Sequence, residues 1–235
     1  MKLKRLVSIA GIAAAVATAT HAQILAFDFY TGGSQSPATW SSEITNANLD
    51  TTSGFNLLTR GAGAAASSAT NSFRTTGFQN NGISTANTDY FQVVVRANTG
   101  YTLSLSGIAA NFAGTTSYSA SPGVSMQWAY SLDGTNFTLI GSPSSRIGNG
   151  SSTFDFSGVS ALQSVGSTTS ITLRYYASGQ TNTGGWGFIS SANDAYGLQL
   201  NGTVTAIPEP STYAAIFGAL ALAGVVVHRR RQARR

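Results

Sequence analysis

Apolar and polar side chains alternate with period two through most of residues 23–206, and that pattern constrains the fold more than any other feature. Leu25, Phe27 and Phe29 alternate with Ala26, Asp28 and Tyr30, while Phe91, Val93 and Val95 stand opposite Gln92 and Arg96. Tyr101, Leu103 and Leu105 do the same against Thr102, Ser104 and Ser106, and Val124, Met126, Trp128 and Tyr130 against Ser125, Gln127, Ala129 and Ser131. Ile171, Leu173 and Tyr175 oppose Thr172, Arg174 and Tyr176; Tyr196, Leu198, Leu200 and Val204 mark a last segment. Successive side chains of a strand point to opposite faces, so each segment reads as a strand with one buried face. Asn98-Thr99-Gly100 predicts a hairpin between its neighbours, and Asp133-Gly134 a second one leading into residues 137–140. Residues 153–156 form a further short strand candidate.

Two segments resist the pattern. Residues 54–81 hold Gly61-Ala62-Gly63-Ala64-Ala65-Ala66, which is open to a short helix, a loop or a close-packed strand. Residues 179–194 are punctuated by Gly184-Gly185-Trp186-Gly187 and read as a long hairpin or a surface loop. Short strands with polar turns and no amphipathic helix predict an all-β body over 23–206, an antiparallel β-sandwich of jelly-roll-like form.

The two ends follow other rules. Lys2, Lys4 and Arg5 precede an apolar stretch and the small residues up to Ala22, so residues 1–22 read as a secretory signal peptide cut after Ala22, or alternatively after Ala19. At the other end, residues 207–235 begin with Ile207, Pro208, Glu209 and Pro210, where two prolines stop any strand. The uncharged run 213–227 follows, 15 residues long. As a helix it extends roughly 22 Å against a hydrocarbon core of about 30 Å, a marginal transmembrane span. Arg229, Arg230, Arg231, Arg234 and Arg235 then act as a stop to translocation.

This order of Pro-Glu-Pro, short apolar helix and basic tail resembles the PEP-CTERM sorting signal of exported bacterial proteins. His228 and Gln232-Ala233 depart slightly from an unbroken arginine run. The resemblance implies export by the Sec machinery, a transient anchor in the inner membrane, and recognition of Pro208, Glu209 and Pro210 by an exosortase. That protease would cut near the motif and release the body to the cell surface or exopolysaccharide matrix.

Removing both ends changes what the charge means. The body keeps five basic residues, Arg60, Arg74, Arg96, Arg146 and Arg174, against seven carboxylates, a formal charge of −2. Scattered single arginines make no nucleic-acid footprint. The body also lacks His, Cys and Lys. That excludes Ser-His-Asp and thiolate sites, ordinary zinc sites, Schiff bases and Ser-Lys dyads. A carboxylate pair, as in glycoside hydrolases, is the remaining catalytic option, and nothing in the spacing of the acids indicates one. The expectation is therefore a non-catalytic protein without metal or cofactor; Asp28 and Asp194 as calcium ligands lack an Asp-x-Asp-x-Asp loop.

A glycan-binding module is the main alternative. Aromatic faces stack on sugar rings, and Trp186 between glycines is the first candidate, followed by Tyr176 and Trp40, each with core packing as the plainer account. Trp128, on an apolar face, is assigned to the core.

Overall fold

The computed structural model describes residues 22–114, 119–181, 184–208 and 210–233, with 210–216 described in backbone only; burial alternates at Tyr90–Val95 and Gly150–Asp155, whereas Val124–Ser131 and Ile171–Ser178 are largely buried on both faces. In chain order the strands are β1 (Ala22–Phe27), β2 (Ser34–Gln35), β3 (Trp40–Ser41), β4 (Ile44–Thr45), β5 (Leu57–Arg60) and β6 (Ala66–Ser67). There follow β7 (Ala69–Thr70), β8 (Ser72–Thr75), β9 (Tyr90–Val95), β10 (Tyr101–Ala113), β11 (Val124–Ser131) and β12 (Thr138–Leu139). The last six are β13 (Ser144–Arg146), β14 (Gly150–Asp155), β15 (Val165–Gly166), β16 (Ile171–Ser178), β17 (Trp186–Ile189) and β18 (Leu198–Ala206). One helix, α1 (Pro210–Gln232), closes the described chain. Of the segment 1–22 read from the sequence as a signal peptide, residues 1–21 lie outside the described residues; Ala22 opens β1, opposite Gly202.

Two main sheets hold these strands. One runs β4-β1-β18-β10-β17-β8-β6, with β14 and β15 also paired to β10; the other runs β12-β11-β16-β9-β5-β3, with β13 also on β11. Their ladders are antiparallel throughout. A separate two-stranded ladder joins β2 to β7.

The inner faces meet through aromatic rings. Phe73 of β8 lies 4.9 Å from Phe91 of β9, edge to face, and Phe112 of β10 lies 5.7 Å from Tyr175 of β16. Phe188 of β17 stacks within 10° of the Trp128 indole of β11. Each such buried side chain contributes about 1.5–3 kcal/mol by leaving water, and favourable ring pairs add about 0.5–1.5 kcal/mol. With no cysteine in the chain, this layer holds the sheets together without covalent help.

Two expectations change, and the open reading of residues 54–81 is decided. Asn98-Thr99-Gly100 is a tight turn, with the Tyr101 amide bonded to the Asn98 carbonyl and Gly100 at φ +86°, but it joins no hairpin. β9 belongs to one sheet and β10 to the other, so the turn carries the chain across the core. Period-two alternation is the same for strands that pair and strands that face each other, and this is why sequence pattern could not tell the two apart. Residues 54–81 form β5 to β8 rather than a helix, and Gly61 is packed so closely that a Cβ would fall 2.2 Å from the Thr88 carbonyl oxygen. Residues 179–194 include β17, an interior strand between β10 and β8. The Asp133-Gly134 turn does make its hairpin: Ala129 pairs with Leu139 and Tyr130 with Thr138.

Carboxylates at the turns behave in two ways. Asp50 accepts from the Thr52 amide and from Arg96, which together hold its carboxyl down at about 2. Its stabilising effect is present above the ordinary carboxylate range and fades as pH falls toward that value. Asp89 is the opposite case. It is buried, its Oδ1 accepts from Asn80 Nδ2, and its Oδ2 has no partner. Burial pushes its carboxyl up, so this group favours the fold when protonated and works against it once pH rises above the ordinary carboxylate range. Asp89→Asn, close in shape to the protonated acid, is therefore expected to raise the urea midpoint at pH 7, with the gain disappearing near about pH 3. A variant less stable than wild type at pH 7 would mean that the charged form is the one the fold uses.

Candidate functional site

The sequence candidates for sugar stacking do not form a surface. Trp186 is fully buried: its indole stacks 5.6 Å from the Phe112 ring and its Nε1 donates to Tyr175 Oη at 2.8 Å. The flanking glycines serve the backbone instead of exposing the ring. A Cβ at Gly187 would stand 2.1 Å from the Phe73 carbonyl oxygen on neighbouring β8 and one at Gly185 2.9 Å from Ser67 Oγ; far from them in sequence, one at Gly114 would stand 2.2 Å from the Trp186 ring itself. Tyr176 is also buried, with its hydroxyl donating to the Thr85 carbonyl and its ring edge-on to Tyr90. Trp40 is half-buried and donates from Nε1 to the Asp28 carbonyl at 2.8 Å. Trp128 is a core residue, 2% exposed, in line with its assignment.

Asp28 and Asp194 do meet, but as partners in backbone capping. Asp28 accepts from the Tyr30 amide through one oxygen and from the Asp194 amide through the other, both at 2.8 Å. Among the described residues no group of three acidic, histidine or cysteine side chains is placed to hold a metal ion. The arginines work inside the fold. Arg96 pairs with Asp50 at 2.5 Å, Arg60 lies 3.6 Å over the Phe73 ring, and Arg174 lies 3.8 Å over Tyr90 and 3.7 Å over Phe137.

A cavity of about 560 Å³ opens instead at a sheet edge that the sequence did not single out. It arises from a break in the outermost strand of one sheet. β12 pairs with Ala129 and Tyr130, β13 with Val124 to Met126, and the intervening chain leaves the ladder at Gly141, which has φ +60°. Gln127 fills part of the break by donating from Nε2 to the Gly141 carbonyl at 2.6 Å. Facing the break across the mouth is β14, the edge of the other sheet, whose exposure alternates residue by residue. Arg146 straps the two edges together by reaching from β13 to the Ser151 carbonyl and to Ser152 Oγ, the latter at 2.9 Å.

The floor of this mouth is aromatic. Trp128 stands edge-to-face with Phe154 at 6.2 Å and with Phe156 at 6.4 Å, and all three line the cavity. Hydroxyls form the rim, including Ser142, Ser144, Ser152 and Thr153. One carboxylate, Asp155, lines it, with its Oδ1 accepting from Ser157. Trp128 Nε1 is buried without an acceptor, a condition that costs roughly 1–3 kcal/mol. Period-two alternation placed Trp128 inside correctly; it carried no information about where the edge strand would break.

The sorting candidates occupy the far end of the chain. β18 stops at Ala206, and the Ile207 amide makes the last bond to the body, to the Gly100 carbonyl at 2.8 Å. Pro208 is exposed, and the backbone at Pro210 already belongs to α1. Glu209, Arg234 and Arg235 lie outside the described residues. Arg229, Arg230 and Arg231 sit in the last turn of α1, where cations complement the helix dipole. Phe217, Leu220, Leu222, Val225, Val226 and Val227 are all exposed. Among the described residues no helix is long and apolar enough to cross a membrane.

These features define a mostly β chain of antiparallel sheets with one C-terminal helix and a hydroxyl-rimmed aromatic mouth at a sheet edge. Compared with known proteins, the chain matches no family model, no curated protein and no solved structure.

Proposed function

We propose that this is a non-catalytic exported protein of the cell surface or exopolysaccharide matrix, sorted by a C-terminal signal of the PEP-CTERM kind. The observation that carries the reading is the abrupt change at the end of the body. Only Pro208 and Glu209 separate the last backbone bond to the body from a helix whose large apolar side chains, where described, are exposed. A helix apolar on all sides needs an apolar surrounding, and a lipid bilayer supplies one. The described part of α1 is too short for this alone; the proposed span also uses residues 213–216, and a thinned bilayer with snorkelling arginines accommodates the remaining mismatch.

In this reading residues 1–22 are removed on export through the Sec machinery, α1 holds the protein in the inner membrane, and an exosortase cuts near Pro208, Glu209 and Pro210. The body is read as a jelly-roll-like sandwich. Pairing of β1 with β18 and repeated crossing between sheets support it. The non-catalytic assignment draws support from the absence of His, Cys and Lys in the body and from the single carboxylate in the aromatic mouth, since glycoside hydrolysis uses two.

The test is intact mass of the protein recovered from the membrane and from the outside of the native host. A released species starting near Gln23 and ending near the Pro-Glu-Pro motif is expected. Glu209→Ala, and separately deletion of residues 229–235, should leave the chain full length at its C-terminus and membrane-bound. Release and shortening of both variants at the wild-type rate would overturn the sorting reading.

A further inference from the structure

We propose that the outer edge of β14 is a self-association surface, on which a second copy of this chain lays its own β14 antiparallel about a two-fold axis at Thr153. The surface belongs to the body alone and does not rest on the sorting reading.

Length singles out this edge. Among the described residues every other strand that borders a main sheet, namely β3, β4, β6, β12, β13 and β15, has two or three residues, whereas β14 has six. A short edge offers little template to another chain, and a long one offers a ready-made ladder. β14 also carries no proline and no basic residue, and no bulge interrupts its pairing with β10.

The register of that pairing shows which way its backbone points. In an antiparallel ladder alternate residues turn both backbone groups toward the partner strand, and the residues between turn theirs away. The Phe156 amide donates to the Ser106 carbonyl, so Phe154 and Ser152, opposite Ile108 and Ala110, continue the bonded phase. Asn111, opposite Ser151, sends its amide the other way, to the Gly197 carbonyl. The backbones of Ser151, Thr153 and Asp155 therefore point away from β10, and all three residues are exposed.

Symmetry and charge select the occupant. With Thr153 on the axis, it exchanges backbone bonds with its own counterpart, a favourable Thr–Thr cross-strand pair, and Ser151 stands opposite Asp155 of the second copy. The Arg146 guanidinium lies at that place. Among the described residues it bonds only the Ser151 carbonyl and the Ser152 hydroxyl, which are neutral acceptors, so its charge has no counterion there. Pairing brings it the carboxylate of the second copy's Asp155, and as Arg146 turns to that carboxylate it releases the Ser151 carbonyl to the incoming strand. The exchange happens on both sides of the axis, and because each β14 is used once, association stops at the dimer.

The experiment follows the mass of the full chain in detergent by sedimentation equilibrium, over a range of about 5 to about 500 µM, where wild type is expected to dimerise with a dissociation constant below about 300 µM. Thr153→Lys and Thr153→Glu each set like charges face to face across the axis and should weaken the dimer at least about tenfold. Thr153 is exposed, so both variants should keep the wild-type urea midpoint, which verifies that they are folded. An equimolar mixture of the two should recover the dimer, since Lys then faces Glu; association through α1 or any other surface would not respond to that mixing. The proposal is overturned if wild type stays monomeric over the whole range, if the folded single variants dimerise like wild type, or if their mixture associates no better than either alone.

Discussion

Trp186→Ala is expected to lower the stability of the body by about 3–5 kcal/mol, read as a shift of the urea midpoint at unchanged slope. The ring is fully buried between the sheets, stacked on Phe112, and its removal leaves space that rigid strand backbones on both sides cannot fill. It also removes the N–H that reaches Tyr175 Oη, a hydroxyl whose own proton goes no further than the weak acceptor Met126 Sδ at 3.5 Å. Tyr175 is completely buried, and burial pushes its phenol above the ordinary range, so a charged form offers no way to recover the loss. Trp186→Phe separates the two contributions: it keeps the stack and loses the hydrogen bond, and should cost only about 1–2 kcal/mol beyond its smaller ring. If Trp186→Ala moved the midpoint by less than about 0.5 kcal/mol equivalent, the residue would belong to the surface after all.

Gly187→Ala should be at least as damaging, although it adds a single methyl group. Gly187 pairs with Arg74 in the β17–β8 ladder, and its Cβ would fall 2.1 Å from the Phe73 carbonyl oxygen and 2.8 Å from the Arg74 Cα. Both are backbone atoms, so no side chain can rotate away. Relief requires moving β8 off β17, which breaks the ladder at Phe188 and Phe73, two rings of the core. A loss of more than about 3 kcal/mol, or failure to accumulate folded protein, is expected. Gly134→Ala is the contrast: Gly134 sits in an exposed turn with open space at its Cβ, and its penalty comes only from φ +76°, about 1 kcal/mol. Equal midpoints for the two alanine variants would refute the packing argument.

The strands were legible in the sequence because burial on one face writes itself into every second residue; Phe91, Val93 and Val95 against Tyr90, Gln92 and Val94 is an example. Pairing was less legible. The turn at Asn98-Thr99-Gly100 has the chemistry of a hairpin and instead crosses between sheets, and nothing local distinguishes the two outcomes. Trp186 takes the plainer of its two readings, core packing. Glycine beside an aromatic residue suggests an exposed ring when read locally, whereas Gly187 is needed by a strand more than a hundred residues earlier in the chain. The aromatic mouth was invisible for the same reason. It depends on where β12 and β13 part and on β14 standing opposite, both consequences of tertiary pairing. At the C-terminus the structure has the helix Pro210–Gln232, while the lipid span and the arginine stop belong to the proposal.

The pairing of β1 with β18 sets an order of events for any chain that emerges N-terminus first, from a ribosome or from a translocation pore. β1 has only a two-residue ladder with β4 until β18 arrives, and β18 in turn is the sole bridge between β1 and β10 in the path of the nine-stranded sheet. The earliest segment must therefore wait, with an edge open to wrong partners, for the very last one before the helix. Completion of the fold becomes a signal that the whole body has come through. A chain trimmed before Leu198 would leave the β4–β1 pair unjoined to the rest of its sheet, with open edges on both pieces.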